Sequence, residues 1–173
     1  QFYNNKLLIV PSPYTSEAGV GLRFHHLPDA TYDRGGTSTN AREAKTVAMA
    51  VIAHANATPN LTLGVAAFSM QQRRAIFDEV ELLRRQHPET EGFFTAHAHE
   101  PFFVKSLENI QGDERDVILI SIGYGRDARG GVSMNFGPVS NEGGERRLNV
   151  LISRAKSRCE VFSSITDEDI DLN

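Results

Sequence analysis

A single cysteine, Cys159, stands among the 173 residues. One thiol excludes an internal disulfide and a cysteine-built zinc site, and fits a reducing cytoplasm, the expected location. No stretch approaches the roughly 18 consecutive apolar residues of a membrane span, so no membrane partner is expected. An excess of positive charge is also missing. The 18 Lys and Arg against 22 Asp and Glu leave a net charge of −4, and any nucleic-acid contact must rest on a local surface. The start at Gln1 shows neither an initiator Met nor a basic-then-apolar leader, and reads as a piece of something longer. No repeat or low-complexity tract occurs. What is there is ordinary: 40% hydrophobic and 23% charged residues, in a length that suits one domain with a single core.

Residues 1–38 are turn-rich, with strand candidates at 7–10 and 22–27. Asn40-Ala41-Arg42-Glu43 has the form of a capping box, and Ala44, Val47, Ala48, Val51 and Ala55 follow at helical spacing to about Asn56. Residues 61–68 form a short apolar run, read as a buried strand. Ser69, with Gln72 three residues on, caps a second helix whose stripe is Ile76, Val80 and Leu83. Residues 117–122 form the near-continuous apolar run of a parallel strand covered on both faces. Residues 145–154 fit a helix, 160–165 a last strand, and Thr166 starts a further helical turn. Alternating strands and helices predict a mostly parallel sheet with helices on both faces, where ligands bind beyond the carboxyl ends of strands.

Three polar segments beside strand ends are candidates for chemistry. In residues 68–74, Arg73 sits in the first helical turn, where amides favour an anion; the segment reads equally as a plain cap with solvated arginines. Residues 108–116 put Gly112 and then four consecutive charged residues, 113–116, before the most buried strand. Gly112 would let a phosphate approach the backbone and Glu114 could accept from a ribose hydroxyl, or the segment is a polar turn with internal ion pairs. In residues 145–156, a wheel at ~100° per residue sets Arg154 nearly beneath Arg147, both flanked by apolar neighbours. Guanidiniums so placed need anions, either the domain's own acids or a bound phosphate.

In this order and spacing the segments resemble motifs IV, V and VI of superfamily 1 helicases. Residues 64–76 carry Gln72-Arg73 in the place of a Gln-Arg pair. Residues 109–121 carry Gln111-Gly112 and Glu114 before an apolar strand. Residues 146–156 carry Arg146-Arg147-Leu148-Asn149-Val150 and Ser153-Arg154-Ala155. Gly36-Thr37-Ser38 with Asn40 and Glu43 resembles the segment before motif IV in the Upf-one-like and Dna-two-like branch, and the likeness extends to large bacterial helicase-related proteins. Phe68-Ser69 departs from the usual Pro-Tyr, and Ser153 replaces the usual Thr.

The resemblance implies an α/β, three-layer RecA-like (P-loop NTPase-like) fold, with an irregular segment at 1–38 and the second, C-terminal motor domain at 39–173. It implies ATP as ligand, with Arg73 and Arg154 as arginine fingers. Gln72, Gly112, Glu114 and Arg147 become nucleotide contacts, and Thr37, Ser38, Lys105 and Ser106 contacts to single-stranded DNA or RNA at the opposite end of the sheet. No G-x-x-x-x-G-K-[ST] occurs, so there is no phosphate loop. Mg²⁺ and its ligands are expected on a first RecA-like domain of the same polypeptide, and no metal is expected here. Asp78-Glu79 reads as a solvated helix face and His97-x-His99-Glu100 as a polar strand or loop. The competing function is a catalytically silent helicase-like module that binds nucleic acid or protein.

Overall fold

The computed structural model describes residues 19–170. Five strands form one parallel sheet: β1 (Gly21–His26), β2 (Leu63–Ala67), β3 (Phe103–Ser106), β4 (Arg115–Ser121) and β5 (Ala155–Ser163), in the order β1-β5-β4-β2-β3. Helices α1 (Ala41–Ala57), α2 (Met70–Gln86), α3 (Glu91–Ala96) and α4 (Gly144–Ile152) connect them. The expected α/β architecture is present. The 7–10 strand candidate lies outside the described residues, and the 22–27 candidate is β1, which joins the main sheet beside β5.

The alternation along β4 explains the layers. Val117 and Leu119 face the core made with α1, α2 and α3, which also holds Val47, Val51, Ile76, Val80 and Phe93. Ile118 and Ile120 face a second core with Leu151 of α4, Phe103 and Ile110. A strand covered on both faces has to be apolar at every position, and β4 is buried at all but one of its seven residues.

Both predicted N-caps are made. Asn40 accepts from the Glu43 amide at 3.0 Å and Ser69 from the Gln72 amide at 3.1 Å. The reciprocal half of the first capping box is absent, because the Glu43 side chain turns into the core and the Asn40 N–H donates to Gln72 instead. The helix read over 145–154 ends two residues early. Ser153 is its C-cap, and the Arg154 carbonyl already accepts from the Arg115 amide at 3.1 Å. Pairing with β4 takes the backbone from there, so β5 starts at Ala155, well before residue 160. Arg154 is off the helix, and its wheel position does not apply. The short elements β3 and α3 carry no periodic signal in the sequence; β3 is held by pairing with β2, and Phe93 and Phe94 of α3 pack with Phe102 just before β3.

Candidate functional site

Between β3 and β4 the chain makes an exposed loop clamped at both ends. Ile110 is fully buried at one end. At the other, the buried Arg115 guanidinium donates to the carbonyls of Pro101 and Glu114 and lies 4.7 Å from the Phe103 ring centre. Between these anchors Gln111, Gly112 and Glu114 are exposed. Gly112 has φ +88°, with nothing within 4 Å of where a Cβ would sit. Glycine adopts this left-handed geometry without steric cost, and the open space leaves the backbone approachable.

Helix α4 crosses beside this loop. Leu107, Glu108, Gln111, Arg146, Arg147 and Val150 line a shared cleft of about 360 Å³. Arg147 donates to the Pro138 carbonyl at 2.8 Å. The Arg154 Nε donates to the Val150 carbonyl at 3.0 Å, and its Nη2 to the Ser153 hydroxyl at 3.3 Å. Of the two origins open for their counter-charge, the domain's own acids are not used: among the described residues neither side chain forms an ion pair. Carbonyls orient a guanidinium without neutralising it, so its positive charge stays available to an anion.

A second cleft of about 440 Å³ flanks the same loop and is lined by Gly112, Glu114 and Lys105 among others. The structure thus puts Gly112 and Glu114 in one cleft of this loop and Arg147 in the other, while Arg154 meets the loop's end through its carbonyl on the Arg115 amide. That loop and Arg154 precede β4 and β5, so they lie at the amino ends of those strands. The expectation of a site beyond carboxyl ends fails for these two segments.

Arg73 is not among them. Its Nε donates to the Val104 carbonyl of the outer strand β3 at 2.9 Å, and its guanidinium lies 5.3 Å from the Phe77 ring centre. Helix α2 packs on the sheet face opposite α4, so the sheet separates Arg73 from Arg154. Gln72 also departs from its expected role as a nucleotide contact. It is 1% exposed, its Oε1 accepts from the Asn40 amide at 2.8 Å, and its Nε2 donates to the Asn40 carbonyl and the Ser121 hydroxyl. An amide so fully used is a brace between helices.

The expected nucleic-acid contacts divide in the same way. Ser106 is buried and its hydroxyl accepts from Asn109 Nδ2 at 3.1 Å, so it faces inward. Lys105 pairs with Asp113 at 2.6 Å and lines the cleft of Gly112 and Glu114, not the opposite end of the sheet. Thr37 and Ser38 do lie at the carboxyl end, before α1. The Thr37 amide and hydroxyl both donate to Asp33, and Ser38 has φ 55°. His97 is held by the Pro59 carbonyl at 2.8 Å and the Phe93 ring.

A buried polar hub went unread as such in the sequence. Glu43 is 0% exposed. Its Oε1 accepts from the Ser121 hydroxyl at 2.6 Å and the Gly123 amide at 2.7 Å, while Oε2 is buried without a hydrogen-bond partner. Burial pushes its carboxyl up to about 7, with the Ser121, Gly123 and Ile122 hydrogen bonds pulling the other way. Asn40 and Gln72 complete the hub, joining the starts of α1 and α2 to the end of β4. The signal was present, since Glu43, Val47, Val51 and Ala55 share one core-facing stripe. Burial likewise pushes the Cys159 thiol up to about 11, making it a poor nucleophile.

Over 71 residues, 41% of its length, the chain is 51% identical to an uncharacterised ATP-dependent helicase, MG140, of Mycoplasma genitalium. Over 62 residues, 36% of its length, it is 53% identical to the MG140 homologue of Mycoplasma pneumoniae. These stretches are 6% and 5% of the lengths of those relatives. A model of the AAA domain family matches residues 3–166, nearly the whole sequence, and the chain therefore belongs to the AAA domain family.

Proposed function

We propose that this chain is the second motor domain of an ATP-driven helicase or translocase, and that it completes a nucleotide site shared with a first RecA-like domain. The observation that carries the reading is the pair Arg147 and Arg154, held by carbonyls and no acid, next to the loop that carries Gly112: Arg147 shares a cleft with Gln111, and the Arg154 carbonyl accepts from the Arg115 amide. The relatives named as ATP-dependent helicases support it. In this reading Arg154 meets the charge that develops on the γ-phosphoryl group. Arg147 and the Gly112 amide flank the phosphates, and Glu114 accepts from the ribose. Mg²⁺ and the phosphate loop belong to the first domain, and single-stranded DNA or RNA is the track.

The test is ATP turnover by a polypeptide that holds this domain together with a phosphate-loop domain. Arg154→Ala should lower kcat about a hundredfold or more. Arg73→Ala should cost much less, because its guanidinium is committed to Val104. Near-normal turnover in Arg154→Ala sinks the proposal, and a larger loss in Arg73→Ala than in Arg154→Ala moves the site to the other face.

A further inference from the structure

At the carboxyl ends of the strands, far along the chain from one another, two loops are zipped together. The Tyr32 amide donates to the Arg126 carbonyl at 2.9 Å, and Arg126 and Val132 pair as an antiparallel bridge closing a small hairpin. The Arg126 side chain pairs with Asp169 and donates to the Gly130 carbonyl, pinning the hairpin to the last turn of the described chain. Between the loops lies a cleft of about 530 Å³ lined by Tyr32, Asp33, Arg34, Asp127 and Arg129, among others.

The two acids of this cleft are occupied by their own loops. Asp33 Oδ2 accepts from the Thr37 amide at 2.7 Å and hydroxyl at 2.8 Å, and these bonds hold its carboxyl below the usual range. Asp127 Oδ1 accepts from the amides of Arg129 and Gly131 at 2.8 and 3.0 Å, with the same effect, and the charges of Arg34 and Arg129 add to it. Arg34 and Arg129 are exposed, and among the described residues neither side chain has a hydrogen bond or a close ion pair. Tyr32 leans on Tyr124, centres 5.5 Å apart, and Tyr124 on Phe136 at 5.9 Å. Two exposed cations on a braced scaffold, beside a run of aromatic rings, match the two halves of a single nucleic-acid strand: phosphate and base.

We propose that this cleft, through Arg34, Arg129 and Tyr32, binds the phosphodiester backbone and a base of a single-stranded nucleic acid. The inference deepens the helicase reading and rests on it. It sets the strand at the carboxyl edge of the sheet, opposite the amino-edge loop of Gly112 and Arg154. Nothing of the chain's overall charge favours such binding, so the contact depends on these side chains.

The experiment is fluorescence anisotropy of labelled dT12 and U12 with the 173-residue chain across a salt series, the two probes separating DNA from RNA. Joint Arg34→Glu and Arg129→Glu should weaken binding by tenfold or more, and reduce the slope of log affinity against log salt by about 1.4. Tyr32→Ala should weaken it by about tenfold. Arg34→Lys with Arg129→Lys should stay within about threefold. Arg74→Glu with Arg85→Glu, an equal charge change on the exposed face of α2, should bind as wild type, and all variants are checked by thermal unfolding. Failure of both probes to bind, equal loss in the α2 control, or competition by polyglutamate as effective as unlabelled dT12 would each overturn the proposal. The Arg154→Ala turnover measurement is unaffected by any of these results, so the two readings fail separately.

Discussion

Glu43 lies among Val47, Val51 and Ser121 with no exposed surface, and the acidity of its carboxyl makes the stability of the domain depend on pH. Its folded value of about 7 stands above the 4.5 of the free side chain. The neutral form is therefore the one the fold favours. Its contribution is fully present below about pH 4.5 and is lost as pH rises through about 7. Urea midpoints should fall between pH 5 and 8 in the wild type, and Glu43→Gln, uncharged throughout, should flatten that fall. An identical pH slope in both proteins would assign the effect to another group. At Gly112 the expected effect is on the backbone. Alanine there has room but must hold φ +88°, at a cost of about 1–2 kcal/mol, readable as a lowered Tm. Of these residues, the exposure of Gly112 was legible from its place in a polar segment before an apolar strand, whereas the wheel that placed Arg154 beside Arg147 assumed a helix that ends at Ile152. Gln72 could not be assigned correctly from its neighbours in the chain. Whether an amide faces a ligand or two helix ends depends on partners 32 and 49 positions away.

Among the elements, α1 and α2 are legible because cap and stripe agree. A side-chain acceptor precedes each, and apolar residues recur at helical spacing behind it. The caps should nonetheless differ in weight. Ser69→Ala removes one capping bond and should cost about 1 kcal/mol. Asn40→Ala also removes a bond to the Ser164 hydroxyl at 3.3 Å in a fully buried setting, and should cost more. Equal unfolding free energies for the two variants would show that the Ser164 bond contributes nothing. Helix α4 illustrates the limit of periodicity. Its pattern continues through Arg154 and Ala155, yet the ladder with β4 takes the chain first. A strand of four residues such as β3 gives periodicity too little to act on, and its position is set by pairing with β2.

For the whole molecule, alternation of strands and helices was enough to give a parallel sheet covered on both faces, but not the strand order. That order decides which loops meet, and it put the segment before β4 and the segment before β5 at one edge, away from Arg73. It also bears on activity. The 173 residues contain no phosphate loop, so the purified chain should release no phosphate from ATP above background. Sustained release that disappears in Arg154→Ala would contradict this.

The strand order has a consequence for synthesis. Among the described residues β1 pairs with β5 alone, Gly21 opposite Arg158 and His26 opposite Ser163. As the chain leaves the ribosome, β2, β3 and β4 can assemble in turn, while β1 waits until β5 has emerged. Through that interval Leu22 and Phe24, 65% and 55% exposed even in the finished fold, stand beside an unfilled edge able to accept a strand from another nascent chain. Expression yield of this domain should accordingly respond to translation speed and chaperone supply more than its folded stability alone would indicate.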